Sequence, residues 1–172
     1  MPTTRALFAA ALASAVALVT GALTGCSSTA AAEVSVGDCL QMTGPPDRLE
    51  ANPVPCGSAE SNYTVVAVLS GQGSDTPDCP ADVDSYYSLQ TAFSDQNTTI
   101  CLDVDWVVGG CMSIDPDNGR DPYRVGCDDT SAPVRQRATA IMQGVASVDQ
   151  CESGLGYAYV ERDFTVCVED LT

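Results

Sequence analysis

The sequence predicts an α+β fold: a tandem repeat of two small disulfide-stapled modules, each mostly antiparallel β with one short helix. Three observations lead there. Eight cysteines fall into two quartets, Cys39, Cys56, Cys79, Cys101 and Cys111, Cys127, Cys151, Cys167, with gaps of 17, 23 and 22 residues in the first and 16, 24 and 16 in the second. Their flanks match as well: Val36-Gly37-Asp38-Cys39-Leu40 answers to Val108-Gly109-Gly110-Cys111-Met112, and Thr99-Ile100-Cys101-Leu102 to Thr165-Val166-Cys167-Val168. Strand-like segments recur in the same frame, the signature of an internal repeat.

The elements follow in chain order. Val34–Met42 alternates apolar and polar residues and Tyr63–Leu69 is a β-branched run, so both are expected as strands. Pro80 suits the first turn of a short helix through Ala81–Ser85. Tyr86–Gln90 and Thr98–Val104 are two further strands. In the second copy Pro116-Asp117-Asn118-Gly119 is a turn between strands at Val107–Ile114 and Tyr123–Gly126. Each copy thus has about five strands, and Cys101 to Cys111 leaves no flexible linker, so the modules should abut. The expected division is a signal peptide at 1–25, a lipidated tether at 26–32, a first four-cysteine module at 33–105 and a second at 106–172.

The leader fixes the compartment. Arg5 gives a minimal positive n-region, Ala6–Leu23 is apolar and uncharged, and Leu23-Thr24-Gly25-Cys26 closes it. Small residues directly before a cysteine resemble the bacterial lipoprotein signal, in which the thiol of Cys26 would carry diacylglycerol and the preceding bond would be cut. Two alternatives stay open: an uncleaved helix, since the run is about long enough to span a bilayer, and ordinary secretion with cleavage at Ala30-Ala31-Ala32. Cys26 is favoured because it lies three residues from the apolar run.

An exported chain with eight cysteines and no close Cys-x-x-Cys pair is a disulfide framework before it is a metal site, and no metal or cofactor is expected. If both repeats close on themselves alike, about 105 pairings reduce to three. The favoured one is first with second and third with fourth: Cys39–Cys56, Cys79–Cys101, Cys111–Cys127 and Cys151–Cys167. Each would close a loop worth roughly 3 kcal/mol of chain entropy. Two cores of about 70 residues each need such crosslinks.

Composition excludes several functions. Beyond the leader six basic residues stand against 23 acidic ones (6 − 23 = −17), and histidine is absent. Such a surface repels nucleic acid, and no nucleic-acid partner is expected. Without histidine the ordinary triads and histidine-containing metal sites fall away. Paired carboxylates remain for acid–base work at Asp103/Asp105, Asp128/Asp129 and Asp115/Asp117, but pairs are common in so acidic a chain. Asp115–Gly119 departs from a calcium loop, with glycine one place early and Gly126 where glutamate should stand. Arg120, Arg124, Arg135 and Arg137 gather in the second module. Arg135 and Arg137 alternate along an expected strand, so they could contact an anion together or pair internally with Asp121, Asp128 and Asp129.

The leader with its lipobox, Val-Gly-Asp-Cys at 36–39, Val-Pro-Cys at 54–56 and the later Cys-Leu strand at 101–102 resemble the LppU-type lipoproteins of actinobacteria. These are similar to a small extracytoplasmic module named for septum formation. That module commonly has Pro-His after its second cysteine, whereas this chain has Cys56-Gly57-Ser58. The resemblance implies a cell-envelope lipoprotein and carries over no catalytic residue. The expectation is a non-enzymatic interaction or scaffolding module, held to the outer face of the cytoplasmic membrane by a lipid and bound to an envelope protein. The alternative is a lipoprotein that binds a small solute or glycan; a carboxylate-dependent hydrolase is third.

Overall fold

The structure, a computed structural model, describes residues 34–45, 49–72, 78–90, 96–115 and 120–171. The expected signal peptide and the lipidation residue Cys26 lie outside the described residues, as do Asp117 and Arg48. The described chain belongs to one compact unit.

It is all-β. The first copy contributes β1 (Cys39–Thr43), β2 (Glu50–Val54), β3 (Tyr63–Gln72), β4 (Ser85–Gln90) and β5 (Gln96–Val104). The second contributes β6 (Cys111–Ser113), β7 (Tyr123–Val125), β8 (Arg135–Gln143), β9 (Gly156–Tyr159) and β10 (Phe164–Leu171). Each set forms one antiparallel sheet, ordered β2-β1-β3-β5-β4 and β7-β6-β8-β10-β9.

The expected α+β class is therefore corrected: no module has an α-helix at the expected place. Pro80 starts only a single turn, Val83 N–H donating to Pro80 C=O at 3.3 Å, and Ser85 already belongs to β4. Five residues cannot repay helix nucleation, and Asp82 and Asp84 turn their carboxylates to partners in and beyond their own module. In the second copy the helical content is two three-residue 3-10 turns, Val148–Gln150 and Val160–Arg162.

The sequence repeat is a structural one down to its irregularities. Cys39 pairs with Val54 and Cys111 with Val125 at the start of equivalent hairpins. Both copies carry a bulge at the same place: the register slips between Val65 and Ala67 opposite Leu102 and Cys101, and between Ala138 and Ala140 opposite Val168 and Cys167. The duplicated Val-Gly-x-Cys motif is explained by its backbone. Gly37 and Gly109 sit at φ +94° and +83°, where a side chain is strained, and each donates to the bulged strand at 2.8 Å, to Val65 and Ala138. These turns delay β1 and β6, which begin at the cysteine rather than at Val34 or Val107. Gly110, where the first copy has Asp38, has its own cause, since a Cβ there would lie 3.1 Å from an Arg124 nitrogen.

The four disulfides are Cys39–Cys56, Cys79–Cys101, Cys111–Cys127 and Cys151–Cys167. One contiguous core runs through both sheets, with Leu40, Val65 and Leu102 from the first and Met112, Val166 and Val168 from the second, each at most 1% exposed.

Candidate functional site

The modules abut, and charged and phenolic groups cross between them at named positions. Arg162, at the end of the second 3-10 turn, reaches Asp82 Oδ1 at 3.1 Å and the Asp82 carbonyl at 2.9 Å, and its other guanidinium nitrogen pairs with Asp103. Arg162 also lies 4.9 Å above the Tyr159 ring, which stacks on Phe164. Asp84 accepts from the Val104 amide at 2.8 Å and the Tyr159 hydroxyl at 2.7 Å. On a second line, Arg124 donates to the Ser58 carbonyl at 3.0 Å and the Asp105 carbonyl at 2.5 Å. Asp105 also accepts from the Gly57 amide and the Ser61 hydroxyl, both at 2.6 Å. The Tyr63 hydroxyl donates to Asp121 at 3.0 Å.

The candidate pair Asp103/Asp105 is thus split between two arginines, one for each carboxylate. Burial raises the pKa of Asp103, with the Arg162 hydrogen bond and charge pulling it part of the way back. Asp84 is exposed as a residue, yet its carboxylate turns inward, and burial of that end raises its pKa against the Val104 and Tyr159 hydrogen bonds. Burial opposes the charge on Arg162, but Asp103 and Asp82 outweigh it and raise its pKa.

Three tyrosines are raised too. Tyr63 is held up by burial and then by Asp121, Tyr159 by burial and then Asp84, Tyr157 by burial and then Asp84. A group whose folded pKa exceeds its unfolded value contributes stability below the unfolded pKa, and loses it as pH rises. The unfolded value is about 10, so stability is expected to fall steeply above about pH 10. Tyrosinate absorbance followed beside circular dichroism checks this: part of the tyrosine absorbance should appear only with unfolding. Complete tyrosine titration before any loss of structure would contradict it.

Among the described residues, clefts open between the modules. One of about 480 Å³ is lined by Met42, Thr43, Pro45 and Leu49 on one side and Asp121 and Tyr123 on the other. A smaller one of about 180 Å³ is lined by Asp105, Trp106, Ile141, Tyr159 and Phe164. The sole tryptophan belongs to the smaller cleft. It is 9% exposed, its ring centroid lies 5.4 Å from that of Tyr157, and its buried Nε1 has no hydrogen-bond partner among the described residues.

Arg135 and Arg137 share a strand face but have different surroundings. Arg135 is buried and donates to the Cys127 carbonyl at 2.7 Å, while exposed Arg137 pairs with Glu169, its neighbour across the β8–β10 ladder. Exposed Asp129 accepts from the Ser131 hydroxyl and amide, which hold its pKa below the usual carboxylate range.

Exposed aliphatic side chains stand at the duplicated Val-Gly turns, and Cys127 Sγ touches the Gly109 carbonyl, next to Val108, at 3.7 Å. Cys56 Sγ touches the Gly37 carbonyl at 3.7 Å, next to Val36, and a Cβ on Gly57 would lie 3.2 Å from Val107. Val36, Val107 and Val108 are 65%, 39% and 56% exposed. Sequence reasoning did not single out these valines, nor Tyr63, Asp82, Asp84 and Arg162; the one available signal was the duplicated Val-Gly dipeptide at 36–37 and 108–109.

No protein family, curated protein or solved structure matches the chain. Among the described residues no helix is long and apolar enough to cross a membrane. Four disulfides in a small fold are consistent with an extracellular or extracytoplasmic domain.

Proposed function

We propose that this chain is a lipid-anchored lipoprotein of the LppU type on the outer face of the bacterial cytoplasmic membrane. There it acts as a non-enzymatic module that docks an envelope protein. The anchor reading is supported by Leu23-Thr24-Gly25-Cys26 at the end of an apolar leader, with the disulfides in keeping with an oxidising compartment. Two chains on the diacylglycerol hold a protein on the membrane where one would not.

The observation that carries the docking reading is the set of exposed valines at the duplicated Val-Gly turns. Val36 and Val107 stand exposed beside Cys56 and Gly57, and Val108 beside Cys127, on a chain whose formal charge is −16. A set of exposed valines on a highly charged surface marks a contact site more than an isolated valine does. The cross-module pairs and disulfides keep that surface in one shape, which lowers the ordering cost of association.

The anchor is tested by Cys26→Ala. The parent is expected to begin at Cys26 and to carry the mass of diacylglycerol in intact-protein mass spectrometry, and the variant to lose that mass and keep its leader. A parent that keeps residues 1–25 and carries no lipid would point to an uncleaved helix. A second reading, a small-solute or glycan-binding lipoprotein, is favoured by the 480 Å³ cleft between the modules, a size typical of ligand sites.

A further inference from the structure

The walls of the 480 Å³ cleft are the same element used twice. Thr43, Gly44, Pro45 and Leu49 flank the β1–β2 turn of the first copy, and Arg120, Asp121 and Pro122 belong to the β6–β7 connection of the second. The repeat therefore brings its two equivalent hairpins face to face. At Met42 and Asp121 the walls are fixed from within. Asn62 holds Met42 through its amide and its carbonyl, at 2.8 and 3.0 Å, and Tyr63 crosses to Asp121 at 3.0 Å. A cleft formed in advance binds without the cost of ordering its lining.

Its chemistry is amphipathic. Met42, Leu49, Pro45 and Pro122 supply apolar surface, and Tyr123 presents a ring that is 40% exposed. Arg120, itself engaged within the protein, and Asp121 bring opposite charges side by side. The field of a chain at −16 repels anions, and an organic cation would face the Arg120 guanidinium. A purely apolar ligand would strip water from Arg120 and Asp121 without replacing it. The remaining class is neutral, with one apolar face and a hydroxylated edge.

From this geometry we infer that the cleft between the duplicated hairpins binds a neutral saccharide, with its C–H face against Tyr123 and its hydroxyls toward Asp121 and Arg120. This rests on the small-solute reading given above. Since about 150 Å³ suffices for a benzene ring, the cleft has room for one or two sugar rings.

The test is saturation-transfer NMR and calorimetry on the full-length protein, in a detergent without a sugar headgroup. Probes are N-acetylglucosamine, its β-1,4 disaccharide and maltose, with acetate, phosphate and methylammonium for comparison. Saturable binding of at least one saccharide is expected, with C–H protons receiving the transfer. Tyr123→Ala and Thr43→Trp, which removes the ring and fills the cleft respectively, should each weaken binding at least tenfold. Tyr86→Ala, which removes another exposed tyrosine on β4, should leave it unchanged. Saccharide binding untouched by both cleft variants would overturn the assigned place. Binding of an anion or the amine in preference to every saccharide would overturn the ligand class and leave the small-solute reading standing. No saturable binding by any probe would overturn both.

Discussion

Arg162→Ala is expected to destabilise the protein by about 3–5 kcal/mol, the cost of leaving one side of a buried ion pair uncompensated. Arg162 is the cation against Asp82 and Asp103, whose side chains are only 12% and 9% exposed, and Asp84 stands close enough to raise Asp103 further. Its guanidinium also covers Tyr159 and Phe164 at 4.9 and 5.4 Å, so packing is lost with the charge. Denaturant midpoints give the size of the effect, and pH gives its cause. The pKa values of Asp84 and Asp103 are already raised in the fold, and removing Arg162 raises that of Asp103 more. Protonation then relieves the penalty, so the gap between variant and parent should narrow as pH falls from neutral through the raised pKa of Asp103. A loss below about 1 kcal/mol, the range of a surface pair, or one that does not change with pH, would contradict the role of this ion pair in holding the modules together.

Complete reduction is expected to abolish cooperative folding. The four disulfides close loops of 17, 22, 16 and 16 residues, each worth roughly 3 kcal/mol in the chain-entropy account. Together that is about 12 kcal/mol, comparable to the whole stability of an ordinary domain. A thermal melt followed by circular dichroism should show a sharp transition for the oxidised protein and none for the reduced, alkylated chain. A cooperative transition retained after reduction would mean that the core through Leu40, Val65, Met112 and Val166 suffices alone.

The cysteine frame made much of this architecture legible in advance. Matched flanks at Val36-Gly37 and Val108-Gly109 mark the same left-handed turn in both copies, and the third-with-fourth pairing ties the loop cysteines Cys79 and Cys151 to β5 and β10. The helix at Pro80 was not legible correctly, because proline followed by three further residues is compatible with one turn as well as with a helix. What separates them is the engagement of Asp82 and Asp84 by Arg162, Glu161 and Tyr159 from the other copy, about 80 residues away in sequence. The same distance hid the interface: Arg162 stands apart from the arginine group at 120–137 that drew attention. For Arg135 and Arg137, alternation correctly put them on one strand, but their partners, the Cys127 carbonyl and Glu169, are set by the hairpin and the β8–β10 register.

Site-specific photo-crosslinking from position 108 in intact cells tests the central claim most directly. With the crosslinking residue in place of exposed Val108, one discrete envelope protein should be captured. The same residue at exposed Val134, in the β7–β8 connection, should give much less, and Val36→Asp should suppress capture from position 108 without changing the melting temperature. Capture that is equal from positions 108 and 134, or absent from both while the protein remains folded and membrane-bound, would contradict a docking module built around the duplicated Val-Gly turns.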